Sequence, residues 1–176
     1  MEIRAERDGD DVAGVHRAAF GADGEKIVEL VAALKRDDPA LLSLVAEVDG
    51  QVAGNVMFTR SLLDAPSRLV DVWVLSPLSV LPARQRQGVG RALIEHGLRI
   101  ADEQRVPLVF LEGDPAYYSK AGFRAGGELG FRKPSLRIPD VAFQVYPLTA
   151  YEPWMTGTLV YSATFWDYDS VGLRDS

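Results

Sequence analysis

Leu78-Ser79-Val80-Leu81-Pro82-Ala83-Arg84-Gln85-Arg86-Gln87-Gly88-Val89-Gly90-Arg91-Ala92-Leu93 is the stretch on which the reading of this chain turns. A strand over about Leu69–Val80, with Val70, Val72 and Val74 alternating with Asp71 and Trp73, runs into Pro82 and stops there. A loop rich in Arg, Gln and Gly follows and opens directly into a helix over about Val89–Gln104. The first backbone N–H groups of a helix have no partner within it, and glycine leaves them uncrowded, so this loop is built to receive an anion such as a phosphate. Arg84, Arg86 and Arg91 add positive charge around it.

Outward from the loop, Pro107–Leu111 is a continuous apolar run, as expected of a strand covered on both faces. Leu69–Leu111 therefore reads as one βαβ crossover. On the helix within it, Leu93, Gly97 and Ile100 fall on one side, and Glu95 and Arg99 form an i,i+4 pair on the other. Upstream, Leu42–Val48 and Gln51–Arg60 flank Asp49-Gly50, a strong two-residue hairpin signal. Ile3 and Ala5 suggest a short opening strand. Asp10 or Asp11 caps a helix carrying Val12, Val15, Ala19 and Phe20, with His16 expected at a helix surface or edge, like His96 on the later helix. A second helix follows Gly21–Gly24, with Ile27, Leu30, Val31 and Leu34 on one stripe and Lys35 and Arg36 in its last turn. A short helix around Pro115–Ala121 and strands near Val141–Pro147 and Thr158–Ser162 complete the α/β pattern. No repeat or linker interrupts it, so residues 1–176 are expected to form a single domain.

Composition narrows the chemistry. The chain has 176 residues, 47% of them hydrophobic and 25% charged, enough for an unstapled core. It has no cysteine, which excludes disulfides, thiolate metal sites and a cysteine nucleophile, and only two histidines, so no metal is expected. A net charge of −6 lacks the electrostatic footprint of a nucleic-acid binder. The acidic start MEIRAERDGDD is unlike a secretory signal, and no apolar stretch approaches the ~20 residues of a membrane helix. The expectation is a cytoplasmic protein that engages neither membrane nor nucleic acid.

Among phosphate loops, a Walker A motif needs Gly-Lys-Ser/Thr, but Arg91-Ala92 follows Gly90. A dinucleotide fingerprint needs a small residue at position 93, which is Leu. Gln85-x-x-Gly88-x-Gly90 instead resembles the acyl-CoA pyrophosphate loop of the GCN5-related N-acetyltransferase (GNAT) superfamily, and Leu78-x-Val80-x-Pro82 looks like its fourth strand. Downstream, Tyr117-Tyr118-Ser119-Lys120-Ala121-Gly122-Phe123 resembles the superfamily's Phe-Tyr-x-x-x-Gly-Phe. The resemblance is strongest over Leu42–Phe123, and the layout Leu148…Gly157-x-Leu159-Val160-Tyr161…Phe165 looks like a YhbS-type branch.

The resemblance implies the GNAT fold, a central mixed, splayed β-sheet flanked by helices, with acetyl-CoA as co-substrate between the fourth and fifth strands. Backbone groups of Leu78, Ser79 and Val80 would pair with the pantetheine arm. Gln85, Arg86, Gln87, Gly88, Val89, Gly90 and Arg91 would form the pyrophosphate loop. Tyr118 matches the general acid of many members, and a phenol is indeed a proton donor at neutral pH; Tyr117 is assigned to packing. The general base stays open between Glu112, Asp114, Glu47 and water. Asp114 is equally suited to cap the helix that starts at Pro115, and Glu47 to face solvent. An Asn that contacts CoA in many members has no counterpart here. The aromatic residues Phe143, Tyr146, Tyr151, Trp154, Tyr161, Phe165, Trp166 and Tyr168 serve either core packing or an acceptor pocket. The activity implied is transfer of an acetyl group to a primary amine by direct attack; a non-catalytic acyl-CoA-binding module is the alternative. The acceptor is a small-molecule or peptide amine of open identity, and a homodimer is common in the superfamily.

Overall fold

The structure is a computed structural model that describes residues 1–175, and it divides into two compact units. The first comprises Met1–Thr59 and Leu75–Arg99, the second Arg60–Val74 and the described residues from Ile100 onward.

In the first unit, β1 (Glu2–Ala5), β2 (Leu42–Val48) and the start of β3 (Gln51–Asp64) form an antiparallel ladder. The β2–β3 turn closes Val48 onto Gln51 through Asp49 at φ 52° and Gly50 at φ 76°. Two successive left-handed residues match the strand twist, which explains why Asp-Gly stands there. Helix α1 (Val12–Phe20) is capped by Asp11, whose Oδ1 accepts from the Gly14 amide at 2.9 Å. Helix α2 (Gly24–Asp37) buries Leu30, Val31, Ala33 and Leu34. Strand β4 (Leu69–Val80) ends in this unit and leads through a 3-10 turn, Pro82–Arg84, into helix α3 (Val89–Glu103). Gly97 of α3 admits the Phe58 ring, for a Cβ there would lie 2.2 Å from Phe58 Cε2. Glu95 pairs backward with Arg91 at 2.8 Å, not forward with Arg99, which turns to His96 Nδ1 at 2.9 Å. One carboxylate has equivalent neighbours at i−4 and i+4, and the second cation has a ring nitrogen of its own.

In the second unit, β5 (Leu108–Glu112) runs parallel to β4 over Trp73↔Val109 and Val74↔Phe110. Leu108–Leu111 are all within 1% of full burial, matching the unbroken apolar run. Helix α4 (Pro115–Tyr118) continues as a 3-10 turn, Ser119–Ala121, ended by Gly122 at φ 99°. Two very short strands that the pattern does not announce follow, β6 (Arg124–Ala125) and β7 (Phe131–Arg132). Then come β8 (Phe143–Pro147), β9 (Gly157–Val160) and α5 (Ala163–Asp167). Val141 lies in a 3-10 turn before β8, not within the strand, and is 64% exposed. Phe110 stacks on Phe143 at 5.7 Å and meets Phe131 edge-on at 5.1 Å. Among the described residues, nine strands are hydrogen-bonded along the path β1-β2-β3-β4-β5-β8-β6, and β9 pairs with β3 and β7.

Candidate functional site

The end of β4 alternates as an extended strand should, with Ser79 2% exposed and Leu78 and Val80 half-buried. Gly54 of β3 makes room beside it; a Cβ there would lie 3.1 Å from the Ser79 carbonyl oxygen and 3.0 Å from Leu93 Cδ1. The Leu81 amide donates to the Ala53 carbonyl at 2.8 Å, and Gln85 Nε2 reaches back to the Val80 carbonyl at 3.2 Å. Gln87 Nε2 braces the same loop on the Ala83 carbonyl at 3.0 Å. The two glutamines thus fold the loop on itself.

The loop then turns through Arg86 at φ 61° and Gly88 at φ 83°, both left-handed. Gly88 is exposed, and a Cβ on it would meet nothing within 4 Å, so the conformation, not crowding, selects glycine there. The Ala92 amide bonds the Gly88 carbonyl at 3.0 Å, which opens α3 and leaves the earlier amides without an intrahelical acceptor. Val89 and Gly90 are buried under the turn. Of the three arginines, Arg84 is committed to Asp49 at 2.8 Å and Arg91 to Glu95; Arg86 is exposed. Two of the three guanidinium charges at the loop are thus paired, while its backbone amides open a helix.

Tyr118 stands in the other unit with Glu112 and Asp114. Asp114 caps α4, accepting from the Ala116 amide at 2.9 Å, and so is occupied structurally. Tyr118 is half-buried; its ring meets Tyr117 edge-on at 4.9 Å and Phe123 at 5.9 Å. Gly113 gives the ring its place, since a Cβ there would lie 2.6 Å from Tyr118 Cε2. Burial, helped by Tyr117 and Asp114, pushes the phenol well above its ordinary range, so it keeps its proton at neutral pH. Tyr117 is 43% exposed and meets the Tyr118 ring edge-on.

Burial also raises the Glu112 carboxyl, opposed by the Gly172 amide, which donates to Oε2 at 3.1 Å, and by the positive charge of Arg137. Glu47 is not turned free to solvent. Arg4 holds it at 2.9 Å and holds Asp10 at 2.8 Å, because an inward-facing guanidinium needs both carboxylates. Of the late aromatic residues, Phe143, Tyr161 and Phe165 are core; Trp166 is 42% exposed. Among the described residues, no His, Asp and Glu cluster could hold a metal ion, and no helix is long and apolar enough to cross a membrane.

The residue that sequence reasoning misplaced is His16. It is 0% exposed, with Nδ1 2.6 Å from Ser79 Oγ. Positions 12, 15, 16 and 19 follow the i, i+3, i+4, i+7 rule, so the periodicity of α1 already put the imidazole on the buried stripe.

Comparison with known proteins shows the family. The family model for the acetyltransferase (GNAT) domain matches residues 39–125, from the start of the hairpin to β6. The chain is similar to the uncharacterized N-acetyltransferase YjhQ of Escherichia coli, 32% identical over 163 residues, 89% of this chain and 88% of the relative. It superimposes on the crystal structure of the GNAT family N-acetyltransferase YhbS from Escherichia coli in complex with CoA with a TM-score of 0.83 and 30% identity, covering 98% of this chain and 95% of that one. A GNAT family acetyltransferase from Brucella melitensis in complex with acetyl-CoA matches at 0.73 and 34% identity, covering 93% and 97%. With the strand, the glycine loop and the crossover helix all present in sequence and in fold, the chain belongs to the GNAT superfamily, in its YhbS-like branch.

Proposed function

We propose that the protein is an acetyl-CoA-dependent N-acetyltransferase that moves the acetyl group directly to a primary amine. The observation that carries this reading is the strand–loop–helix of 78–91, where the left-handed Gly88 stands in open space at the start of α3. The amides from Arg86 to Arg91 would hold the pyrophosphate, and the backbone of Leu78–Val80 the pantetheine arm. In the reaction a neutral amine nitrogen attacks the thioester carbonyl, the new N–C bond forms, and the C–S bond breaks. The departing thiolate takes a proton from the Tyr118 phenol, while the nitrogen sheds its extra proton to water or to Glu112. Glu112 is set apart from Asp114 and Glu47 by its burial, which raises its carboxyl; Asp114 caps α4 and Glu47 is held by Arg4. A single domain over 1–176, a small-molecule or peptide acceptor, a homodimer and a cytoplasmic setting belong to the same reading.

The test is acetyl-CoA consumption followed as free thiol against a panel of small amines, amino acids and peptide N-termini. Turnover with at least one amine is the expected result. CoA binding without turnover on any of them would replace the enzyme with the acyl-CoA-binding module.

A further inference from the structure

An extended segment that pairs with an incoming pantetheine arm must be held in register before the arm arrives. Two ties act on the far end of Leu78–Val80, the Leu81 amide on Ala53 and Gln85 on the Val80 carbonyl. Its middle is held from inside, where Ser79 Oγ meets His16 Nδ1 of α1 at 2.6 Å across 63 residues of sequence.

Asn55 bears on the same ring. Its Nδ2 bonds the Leu44 carbonyl at 2.8 Å and Ser43 Oγ at 3.0 Å. A carbonyl oxygen only accepts, so Nδ2 must face Leu44 and Oδ1 lies on the other branch of the amide, as an acceptor. Asn55 Oδ1 and His16 Nε2 are both buried with no hydrogen-bond partner among the described residues. A neutral imidazole carries a single ring proton; with that proton on Nε2, the Nδ1 lone pair receives the Ser79 hydroxyl. Beyond Asn55, Ser43 Oγ donates to Glu6, which also accepts from Lys35 Nζ, so the polar chain ends on a partly exposed ion pair.

We propose that His16 is a positioning residue of the acetyltransferase, fixing the Leu78–Val80 backbone through its Nδ1 bond to Ser79. The proposal rests on the acyl-CoA reading of that segment. Without the bond, the strand end is free to twist, and donor binding must re-order it first. The loss then falls on donor affinity and leaves the chemical step alone.

The experiment measures CoA affinity by calorimetry, well below the unfolding temperature, for wild type, Ser79→Ala, His16→Leu and His16→Asn, and steady-state kinetics where an acceptor is known. The amide of Asn reproduces the Nδ1 position, so His16→Asn serves as the conservative rescue. Losing one buried hydrogen bond should weaken CoA binding about tenfold in Ser79→Ala and His16→Leu, with KM for acetyl-CoA rising in step and kcat within about twofold. His16→Asn should stay within about threefold of wild type. Ser79→Ala removes a single hydroxyl and so keeps the test valid if His16→Leu fails to fold. Unchanged CoA affinity in Ser79→Ala, even with a lowered melting temperature, would overturn the proposal and leave a purely structural contact. Wild type that fails to bind CoA would overturn the acyl-CoA reading itself, a different failure.

Discussion

Mild acid should weaken this fold through His16. Burial lowers the ring pKa from 6.5 to about 4, with the Lys35 ammonium acting in the same direction and Asn55 and Glu6 against it. Between those values the unfolded chain binds a proton on this ring that the folded chain refuses. Stability rises with pH wherever the unfolded state binds more protons, so the His16 contribution is complete above the unfolded pKa and is lost as pH falls from 6.5 toward 4. Linkage between those two values gives a loss of about 2 kcal/mol at pH 5 and about 3 kcal/mol at pH 4, relative to pH 7. For a chain of this length that is roughly 4–8 °C in Tm at pH 5. The assay is urea unfolding of wild type and His16→Asn at pH 7 and pH 5, since the amide does not titrate. The variant should start less stable, but its fall between the two pH values should be smaller by about 2 kcal/mol. Parallel falls would refute the reasoning, whatever the absolute stabilities.

Gly88→Asp should abolish measurable CoA binding by setting a carboxylate before the α3 amides, while its φ of 83° costs the fold only about 1 kcal/mol because nothing crowds the new side chain. Gly88→Asn, neutral and of the same shape, should bind far better, and equal calorimetric titrations for the two would remove the anion from this loop. Tyr118→Phe should lower kcat by at least roughly tenfold with KM for acetyl-CoA nearly constant, and Tyr117→Phe should change little; single-turnover acetyl transfer compares them. A large loss in Tyr117→Phe alone would mean that the acid is the wrong tyrosine. Gly157→Ala should cost at least about 3 kcal/mol, because φ is 120° and the new Cβ would sit 2.1 Å from the Asp64 carbonyl oxygen in the β3–β9 pairing; a melting curve like that of wild type would contradict it.

Much of the architecture was legible where the deciding interactions are local. Asp49-Gly50 announces its hairpin because two consecutive left-handed residues are demanded within four positions. Asp114-Pro115 announces α4 because the cap and the first helical residue are neighbours in sequence. Gln85-x-x-Gly88-x-Gly90 marks the loop because a positive φ and the helix start lie within one turn of each other. The two-residue strands β6 and β7 escaped because they carry too little pattern to show a period, and only their partners β8 and β9 define them.

The state of the polar groups was decided by the tertiary structure. Composition showed three arginines at the loop, but the fold places Asp49 against Arg84 and Glu95 against Arg91, so the charge offered to an anion is less than the residue count suggests. Glu47 is tied to Arg4, and Glu112 to the Gly172 amide 60 residues away. His16 lies on the apolar stripe of α1, but only the folded chain sets it against Ser79. Periodicity reports which way a side chain points on its own element. Which group it meets there, and so whether it is charged, neutral or neutralised, depends on contacts that only the folded chain creates.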